Sequence, residues 1–458
     1  MNIKESFRKY LEEAIGSDNA LVAFSAFEEP AKVSVRINPF KKMKSFEGKE
    51  VPWNHLGRIL PERPKFTLDP YLHGGAYYVQ DSSSMFVGHL FRTILADIEV
   101  SSVRPLRVLD LCAAPGGKTT DLAPSLRERC GDNFILVSNE VMKQRAGVLA
   151  DNVALWGDPN VVVTSDDPRA FSSLPGFFDI VVADVPCSGE GMFRKDEEAQ
   201  RQWSEDNVAL CEARQRRIMA DVWPCLRSGG LLVYSTCTFN RYENDGNVSW
   251  IAQELGADKL DPLTEILPGV IRTSCGYSLV PGHVEGEGQY CAALRKNSED
   301  FNGDYQPCRQ KRGSQGRRQV APIPQHLKSL FTIDVDLRQK GETVTAVPAR
   351  IASDVAVLES VLHLLSAGCA VGVMKGNTLV PDADLALSVI YNIESYPVAD
   401  VDLHTALAFL HKDAILLPDS EKGYVLIRYE GVPLGFVKNL GNRCNNLHPQ
   451  GRRIRMDI

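Results

Sequence analysis

The sequence predicts an α/β protein in which a Rossmann-like domain lies between a small α+β extension and a strand-rich C-terminal region. Its 458 residues exceed what one hydrophobic core usually supports, so two or three domains are expected. From residue 77 to about 295, short apolar runs alternate with helical stretches, which favours a largely parallel sheet covered on both faces. Residues 297–325 are rich in Gln, Arg, Gly, Ser and Pro without apolar periodicity, which predicts a linker.

The N-terminal extension is expected to span residues 1–75. It should contain a helix near residues 7–15, followed by a strand at 33–38 where apolar and polar residues alternate. The central domain is expected at 76–296, with a long helical stretch at 202–226. Its buried strands are predicted at 107–111, 134–138, 161–164, 180–183 and 231–235.

Beyond the linker, residues 326–400 are expected to form a small α/β domain and residues 401–458 a strand-rich domain. Apolar runs at 370–374, 424–427 and 434–437, separated by Gly and Pro, indicate these strands. We find no internal repeat that would point to a solenoid.

Composition indicates a folded, water-soluble chain, with 44% hydrophobic and 24% charged residues. The N-terminal stretch is polar and no run of eighteen apolar residues occurs, so no membrane association is expected. Eleven scattered cysteines form no Cys-x-x-Cys pair or zinc-like cluster, so we expect neither a disulfide framework nor a metal site. A reducing cytoplasm is the expected location.

Charge is distributed unevenly along the chain. The net charge of -7 argues against coating nucleic acid through bulk charge. The linker is nonetheless basic, and from residue 428 to the end six basic residues face only two acidic ones. Either stretch alone could be a solvated surface, but beside a catalytic core they favour contact with RNA. The linker cations are Arg309, Lys311, Arg312, Arg317 and Arg318.

A glycine-rich turn after the first predicted central strand suits an adenosyl cofactor. A phosphate-binding P-loop would need glycine where Cys112 stands, and no G-x-G-x-x-G occurs. Small residues let the backbone approach a ligand closely, as expected for S-adenosylmethionine, although a tight turn without a ligand remains the alternative. The proposed cofactor loop comprises Cys112, Ala113, Ala114, Pro115, Gly116, Gly117 and Lys118.

Two acidic positions follow the next strands at the same predicted edge. Glu140 could hydrogen-bond the ribose hydroxyls of the cofactor. After the third strand, Asp166 or Asp167 could reach the adenine, or either could instead cap a turn.

Two thiols follow the fourth and fifth strands. Carbon 5 of cytosine becomes nucleophilic only after addition at carbon 6, for which a thiolate is well suited, and a base must later remove the carbon 5 proton. Cys187 and Cys237 are candidates for attack and release, and Asp184 for the contact at ring nitrogen 3. Each cysteine alone could be a small buried hydrophobe. Pro186 is followed by Cys187 rather than by an aromatic residue, which disfavours methylation of an amino group.

These residues resemble the RNA (cytosine-5) methyltransferase family of the Sun (Nol/Nop) group, most closely the bacterial 16S ribosomal RNA methyltransferase F type. The likeness implies that Cys237 attacks, that Cys187 assists release, and that the cofactor contacts the loop 112–118, Glu140, Asp167 and Asp184. Pro168 and Val185 depart from the glycine and alanine usual in the family. The matching segments are 36–38, 77–85, 112–118, 184–187 and 235–237.

The resemblance also implies several RNA contacts. The extension 1–75 and a PUA-like domain at 401–458, marked by a segment at 435–443, are expected to bind RNA. The candidate RNA-binding residues are Arg36, Arg194, Lys195, Lys438 and Arg443.

The expected function is S-adenosylmethionine-dependent formation of 5-methylcytidine in small-subunit (16S) ribosomal RNA, by a cytoplasmic monomer. Two alternatives stay open: a transfer RNA methyltransferase with the same chemistry, and a non-catalytic assembly factor on a methyltransferase scaffold. Intact Asp184, Cys187 and Cys237 argue against the second.

Overall fold

The computed structural model describes residues 4–44, 46–297 and 323–458. The five linker cations between Arg309 and Arg318 lie outside the described residues. Within the described ranges, no helix is long and apolar enough to cross a membrane.

The N-terminal extension contains three helices and a four-stranded antiparallel sheet in the order β2-β3-β1-β4. The predicted helix and strand are both confirmed. Strand β4 lies beyond residue 75 yet pairs with β1, so this sheet extends past the expected boundary. Its elements are α1 (Glu5–Ile15), α2 (Ser17–Ala26), β1 (Val33–Ile37), β2 (Lys49–Val51), β3 (Asn54–Leu60), α3 (Pro70–His73) and β4 (Tyr77–Val79).

The central domain is built on a sheet whose middle five strands are parallel, in the order β9-β8-β5-β6-β7. All five predicted strands are present, although the last begins at Leu226 rather than at 231. Its elements are α4 (Phe86–Ala96), β5 (Leu106–Asp110), α5 (Thr119–Cys130), β6 (Phe134–Asn139), α6 (Lys143–Trp156), β7 (Val161–Thr164), β8 (Phe178–Asp184), α7 (Glu197–Gln202), α8 (Glu205–Val222), β9 (Leu226–Thr236), α9 (Asn247–Glu254), β10 (Ala257–Leu260), β11 (Ile271–Arg272), β12 (Tyr277–Leu279) and β13 (Gln289–Lys296).

Both faces of this sheet are buried, as the apolar runs predicted. Along β5, Val108 packs into the hydrophobic cluster on one face and Leu109 into the cluster on the other. This alternation follows from the two-residue repeat of a strand. The Rossmann-like α/β architecture is therefore confirmed.

The C-terminal region contains two further four-stranded sheets, in the orders β14-β15-β17-β18 and β19-β20-β21-β22. The strand-rich prediction is thus confirmed. The elements are β14 (Val335–Lys340), β15 (Thr343–Pro348), α10 (Ala352–Val361), β16 (Leu364–Ala367), β17 (Cys369–Lys375), β18 (Thr378–Pro381), α11 (Ala383–Leu387), β19 (Val398–Val401), α12 (Leu403–His411), β20 (Gly423–Tyr429), β21 (Val432–Asn439) and β22 (Cys444–Asn446).

The segment 326–400 is joined to both of its neighbours rather than standing apart. Strand β16 pairs antiparallel with β7 at the edge of the central sheet. Leu358 of α10 packs into the central core, and Phe436 of β21 packs into the core of the β14–β18 sheet. Strand β19 also crosses the expected boundary at residue 400. The segment 326–400 therefore shares one hydrophobic core with the central domain and another with the last sheet.

Candidate active site

The candidate site lies where three neighbouring parallel strands end. The sheet continues in one direction from β5 through β6 and in the other through β8 and β9, so the strand order reverses beside β5. In open α/β sheets, ligands bind at such a reversal, outside the carboxyl ends of the strands. The loop 112–118 follows β5, Asp184 ends β8, and Cys237 directly follows β9. Asp184 pairs in register with Ser235, which brings the two cysteine segments side by side.

The buried side chain of Arg36 supports the loop 112–118 from the interior of the protein. This side chain is fully buried and donates hydrogen bonds to the carbonyl oxygens of Gly117 (3.1 Å) and Thr120 (2.6 Å). Burial lowers the pKa of Arg36, and the nearby carboxylate of Asp121 opposes that shift. The expectation that Arg36 contacts RNA is wrong, because its guanidinium is enclosed and supports the loop from inside the protein.

Unpaired polar atoms beside this loop fit a polar cofactor. Asp110 Oδ1 and Gln80 Nε2 are buried and have no hydrogen-bond partner among the described atoms. Burial raises the pKa of Asp110 to about 7. Gln80 Nε2 lies 3.5 Å from where a Cβ on Gly117 would stand, so glycine keeps space open between them. Gly116 has φ +112°, a conformation that favours glycine. The loop can therefore admit a ligand that supplies the missing partners.

Glu140 lies at the end of the next strand, as predicted. Its Oε2 is 3.1 Å from Arg145 Nη1, and the same guanidinium donates to the carbonyl oxygen of Ala114 (2.8 Å). Arg145 thus ties the acidic position to the loop 112–118. Its role was missed from the sequence, where it is one cation of an ordinary helix.

The buried side chain of Asn139 connects the ends of three strands. It donates to the carbonyl oxygens of Leu111 and Asp166, and its own oxygen accepts from Thr164. This role was also missed, although the position next to Glu140 was a signal. Asp167 is exposed and its carboxylate accepts from the backbone N–H of Arg169, which is the turn-capping alternative.

Lys118 and Asp184 form an ion pair across the mouth of the site. Lys118 Nζ lies 2.7 Å from Asp184 Oδ2, and Asp184 Oδ1 accepts from Ser235 (2.8 Å) and Gln289 (3.0 Å). Burial opposes the charge on Lys118, but Asp184 outweighs it, so the pKa of Lys118 is raised. Gln289 was missed from the sequence because it lies on β13, far along the chain from the motifs.

The two predicted cysteines meet at this edge. Cys187 Sγ lies 3.1 Å from Cys237 Sγ, and both side chains are partly exposed. The contact with Cys237, followed by burial, raises the pKa of Cys187 well above its ordinary value. Cys187 therefore retains its proton at neutral pH and can donate it towards the sulfur of Cys237.

The other candidate RNA-binding residues differ in accessibility. Arg194 is enclosed in an ion pair with Glu287 (2.9 Å), each side chain only 6% exposed, so its expected contact with RNA phosphates is wrong. Lys195 is 38% exposed beside Glu287. Lys438 is exposed on β21, and Arg443 is exposed on the loop between β21 and β22. That either residue contacts RNA stays a prediction.

Models of three protein families match the sequence. The model described as 16S rRNA methyltransferase RsmB/F matches residues 102–295. The N-terminal domain of 16S rRNA methyltransferase RsmF matches residues 3–82, and the methyltransferase RsmF PUA domain matches residues 396–454. Together these matches follow one another along most of the chain.

Relatives and solved structures agree with these matches. The ribosomal RNA small subunit methyltransferase F proteins of Salmonella paratyphi B and Salmonella typhi are each 29% identical over 475 residues, covering 97% of this chain and 95% of the relative. A methyltransferase homolog protein from Pyrococcus horikoshii is 25% identical, with a TM-score of 0.53 over 64% of this chain and 96% of that one. NSun6 from Pyrococcus horikoshii, crystallised with SFG, shares the fold at 18% identity and a TM-score of 0.50, over 64% and 98% of the two chains. The chain is a methyltransferase, and its three matched regions are similar to the RsmB/F methyltransferases and to the N-terminal and PUA domains of RsmF.

Proposed function

We propose that this methyltransferase forms 5-methylcytidine in small-subunit (16S) ribosomal RNA, using S-adenosylmethionine and a covalent cysteine adduct. The observation that carries the proposal is the 3.1 Å approach of Cys187 Sγ to Cys237 Sγ, beside Asp184 at the edge of the loop 112–118. A pyrimidine that enters here meets a nucleophile, a proton donor and a carboxylate together. Methylation of an amino nitrogen would need neither the Cys187 thiol nor the Cys237 thiol.

Residues of this chain fit S-adenosylmethionine in three places. The backbone of 112–118 and the free hydrogen-bonding atoms of Gln80 and Asp110 would hold its amino-acid end. Glu140 would accept hydrogen bonds from the ribose hydroxyls, and Asp167 would lie towards the adenine. When bound, S-adenosylmethionine supplies an electrophilic methyl group to the site.

Attack begins at Cys237. Its thiolate adds to carbon 6 of cytosine, forming a carbon–sulfur bond and making carbon 5 nucleophilic. Asp184 ends β8 in register with Ser235, two residues before Cys237, and its carboxylate would accept a hydrogen bond from nitrogen 3 when that nitrogen carries a proton, while Lys118 holds the carboxylate in place. Carbon 5 then takes the methyl group.

Release depends on Cys187. Solvent water, which can reach the partly exposed cysteines, accepts the proton from carbon 5, the carbon 5–carbon 6 double bond returns, and the bond to Cys237 breaks. Cys237 leaves as a thiolate, which the retained S–H proton of Cys187 stabilises across the 3.1 Å contact. Cys187 thus favours departure without itself being the nucleophile.

RNA is the proposed partner. The target carbon must reach both thiols in one pocket, so the base must be unpaired or flipped out. The match to a PUA domain and the exposed cations Lys438 and Arg443 support a second RNA contact outside the pocket. The likeness to small-subunit methyltransferases favours ribosomal over transfer RNA, and a cytoplasmic location follows from that substrate.

Two single substitutions test the mechanism. Cys237→Ala should abolish methyl transfer, and Cys187→Ala should accumulate a protein–RNA adduct that survives a denaturing gel. Cys444→Ala, a buried cysteine of the last sheet, is the matched control and should keep both properties normal. Full turnover by Cys237→Ala would disprove the covalent mechanism.

Bisulfite sequencing tests the substrate. Total RNA from the source cell with and without the gene should differ at one protected cytosine in small-subunit ribosomal RNA. Loss of protection in a transfer RNA instead would keep the chemistry and change the target. No loss in any RNA would favour the non-catalytic scaffold.

A further inference from the structure

Behind the two cysteines lies a buried cluster of polar side chains that the proposed mechanism does not use. Two carboxylates are at its centre, Glu190 and Glu243, which are 1% and 0% exposed. Glu190 lies three residues after Cys187, and Glu243 lies six residues after Cys237, in a π-helical turn (Tyr242–Gly246). Two acidic side chains enclosed together are costly unless each is fully paired.

Glu190 reaches from the Cys187 segment to the Cys237 segment. Its Oε2 accepts from the backbone N–H groups of Phe239 (2.6 Å) and Asn240 (3.1 Å). Its Oε1 accepts from Trp203 Nε1 and Asn240 Nδ2, both at 2.9 Å. Four N–H donors therefore converge on this side chain, and all four are satisfied only when both carboxylate oxygens act as acceptors.

Glu243 makes the reciprocal connection, from the Cys237 side back to the Cys187 segment. Its Oε2 accepts from the backbone N–H of Ser188 (3.0 Å), the residue next to Cys187, and from Gln215 Nε2 (2.7 Å). Its Oε1 accepts from Asn240 Nδ2 (2.8 Å). Each segment thus carries a carboxylate that binds backbone of the other segment.

Shorter links join the same two segments. The hydroxyls of Ser188 and Thr238, each next to a cysteine, lie 2.9 Å apart. Gly191 N–H donates to the carbonyl oxygen of Cys237 (2.8 Å), and a Cβ on Gly191 would lie 2.9 Å from that oxygen. The separation of the two sulfurs is therefore set by a buried network, and the two carboxylates are its main acceptors.

We propose that Glu190 and Glu243, which we call the carboxylate clasp, are positioning residues that fix Cys187 and Cys237 at reacting distance. The role rests on the proposed function, since it matters only if both thiols take part in the reaction. Glu243 acts mainly on Cys187, because it binds Ser188. Glu190 acts mainly on Cys237, because it binds Phe239 and Asn240.

Isosteric amides test the clasp. In Glu243→Gln or Glu190→Gln, an NH2 group replaces an acceptor among donors, so the segment it holds must shift. A displacement of about 1 Å at a reacting group can lower turnover about 100-fold. Glu212→Gln is the matched control, because this glutamate on α8 pairs with Arg216 and contacts neither cysteine segment through its carboxylate.

The first readout needs no RNA. Diamide takes up two electrons and two protons as two thiols join in a disulfide, so it reports how often Cys187 and Cys237 meet. Peptide mass spectrometry should show the Cys187–Cys237 link forming several-fold more slowly in both clasp variants than in the wild type or Glu212→Gln. Wild-type rates in both clasp variants would overturn the proposal, whatever the methylation assay gives.

The second readout separates the two carboxylates, using transcribed small-subunit ribosomal RNA and S-adenosylmethionine. Glu243→Gln should accumulate the covalent adduct, as Cys187→Ala does, because release slows. Glu190→Gln in the Cys187→Ala background should form the adduct more slowly, because attack slows. Affinity for S-adenosylmethionine, measured by calorimetry, should stay within about twofold of wild type in each variant, since neither carboxylate contacts the loop 112–118.

A milder variant covers the case in which an amide substitution prevents folding. Thr238→Val removes the hydroxyl link to Ser188 and the hydrogen bond that Asn240 Nδ2 donates to the same hydroxyl (3.2 Å), and it preserves side-chain shape. It should lower the rate at which diamide forms the Cys187–Cys237 disulfide, but by less than the two clasp variants do. An unchanged rate in Thr238→Val, together with normal rates in whichever clasp variant folds, would count against positioning. Failure of Cys237→Ala to lose activity would instead remove the proposed chemistry and leave the cross-linking result standing.

Discussion

Lys118 Nζ lies 2.7 Å from Asp184 Oδ2, so one ion pair connects the loop after β5 to the end of β8. The pair is mostly enclosed, with side-chain exposures of 14% and 24%. Its two members come from the two segments expected to hold the methyl donor and the cytosine. A single contact therefore couples the position of the loop 112–118 to that of the carboxylate beside the thiols.

This coupling predicts strongly non-additive effects. Asp184→Asn and Lys118→Met should each lower methyl transfer, by about 10²- to 10⁴-fold for the carboxylate. The increase in activation free energy in the double variant should be smaller than the sum of the increases in the two single variants. The coupling energy in a kinetic double-mutant cycle should be roughly 0.5–3 kcal/mol. Lys44→Met is the matched control, because Lys44 pairs with Glu430 at an exposed surface. Simple additivity would show that the two segments act independently.

Arg36 should matter for stability rather than for RNA. Arg36→Met removes a buried cation that donates to Gly117 and Thr120 and lies 3.8 Å from Asp121, and removal of one member of a buried ion pair costs about 3–5 kcal/mol. We expect a lower melting temperature by calorimetry and no change in the salt dependence of RNA binding. Arg63→Met, at an exposed position, should change neither. A loss of RNA affinity at an unchanged melting temperature would restore the sequence-based assignment.

The contrast between the cysteines and Arg36 shows what the sequence can predict. Cys187 and Cys237 each follow a strongly apolar strand, and parallel strands bring their carboxyl ends to one edge, so their proximity follows from local patterns. The burial of Arg36 does not, because its partners Gln80, Gly117 and Thr120 lie between 44 and 84 residues away and the strand around it alternates like an exposed one. Arg194 was misassigned for the same reason, since its partner Glu287 is distant in sequence.

The segment 326–400 illustrates a second limit. Its strands could be predicted from apolar runs, but the pairing of β16 with β7 joins elements some two hundred residues apart. No local pattern specifies such a partner. The expected separate domain is consequently an extension of the central sheet on one side and of the last core on the other.

Glu140 and Asp167 should contribute unequally to cofactor binding. Glu140 is 3% exposed and aligned by Arg145, whereas Asp167 is exposed and already caps a turn. Loss of a hydrogen bond to a charged group costs about 1.5–3 kcal/mol, so Glu140→Gln should weaken S-adenosylmethionine binding about 10- to 100-fold. Asp167→Asn should weaken it less. Calorimetric titration of both variants measures this, and a reversed order would move the ribose contact to Asp167.

Lys438 and Arg443 should bind phosphates without affecting the pocket. Neutralising both should lower RNA affinity and reduce the slope of log affinity against log salt by about 0.7–0.9 per cation. Cofactor affinity should stay unchanged, because both residues lie on the last sheet or its following loop. Lys375→Ala, an exposed cation at the end of β17, serves as the control. An unchanged salt slope in the double variant would exclude this surface from the RNA contact.

The buried carboxyl of Glu243 should make stability depend on pH. Burial, then the charge of Glu190, raises the pKa of Glu243 from 4.5 to about 7, so the folded state binds a proton that the unfolded state has released between these values. The stabilisation is therefore fully present below pH 4.5 and is lost as the pH rises towards 7. Relative to Glu243→Gln, which cannot titrate, the wild-type free energy of unfolding should fall by on the order of 3 kcal/mol across that range. Urea unfolding of both proteins at pH 5 and pH 7.5 measures the free energy of unfolding of each. A rise in wild-type stability relative to Glu243→Gln with increasing pH would mean that Glu243 is held ionised by its three hydrogen-bond donors.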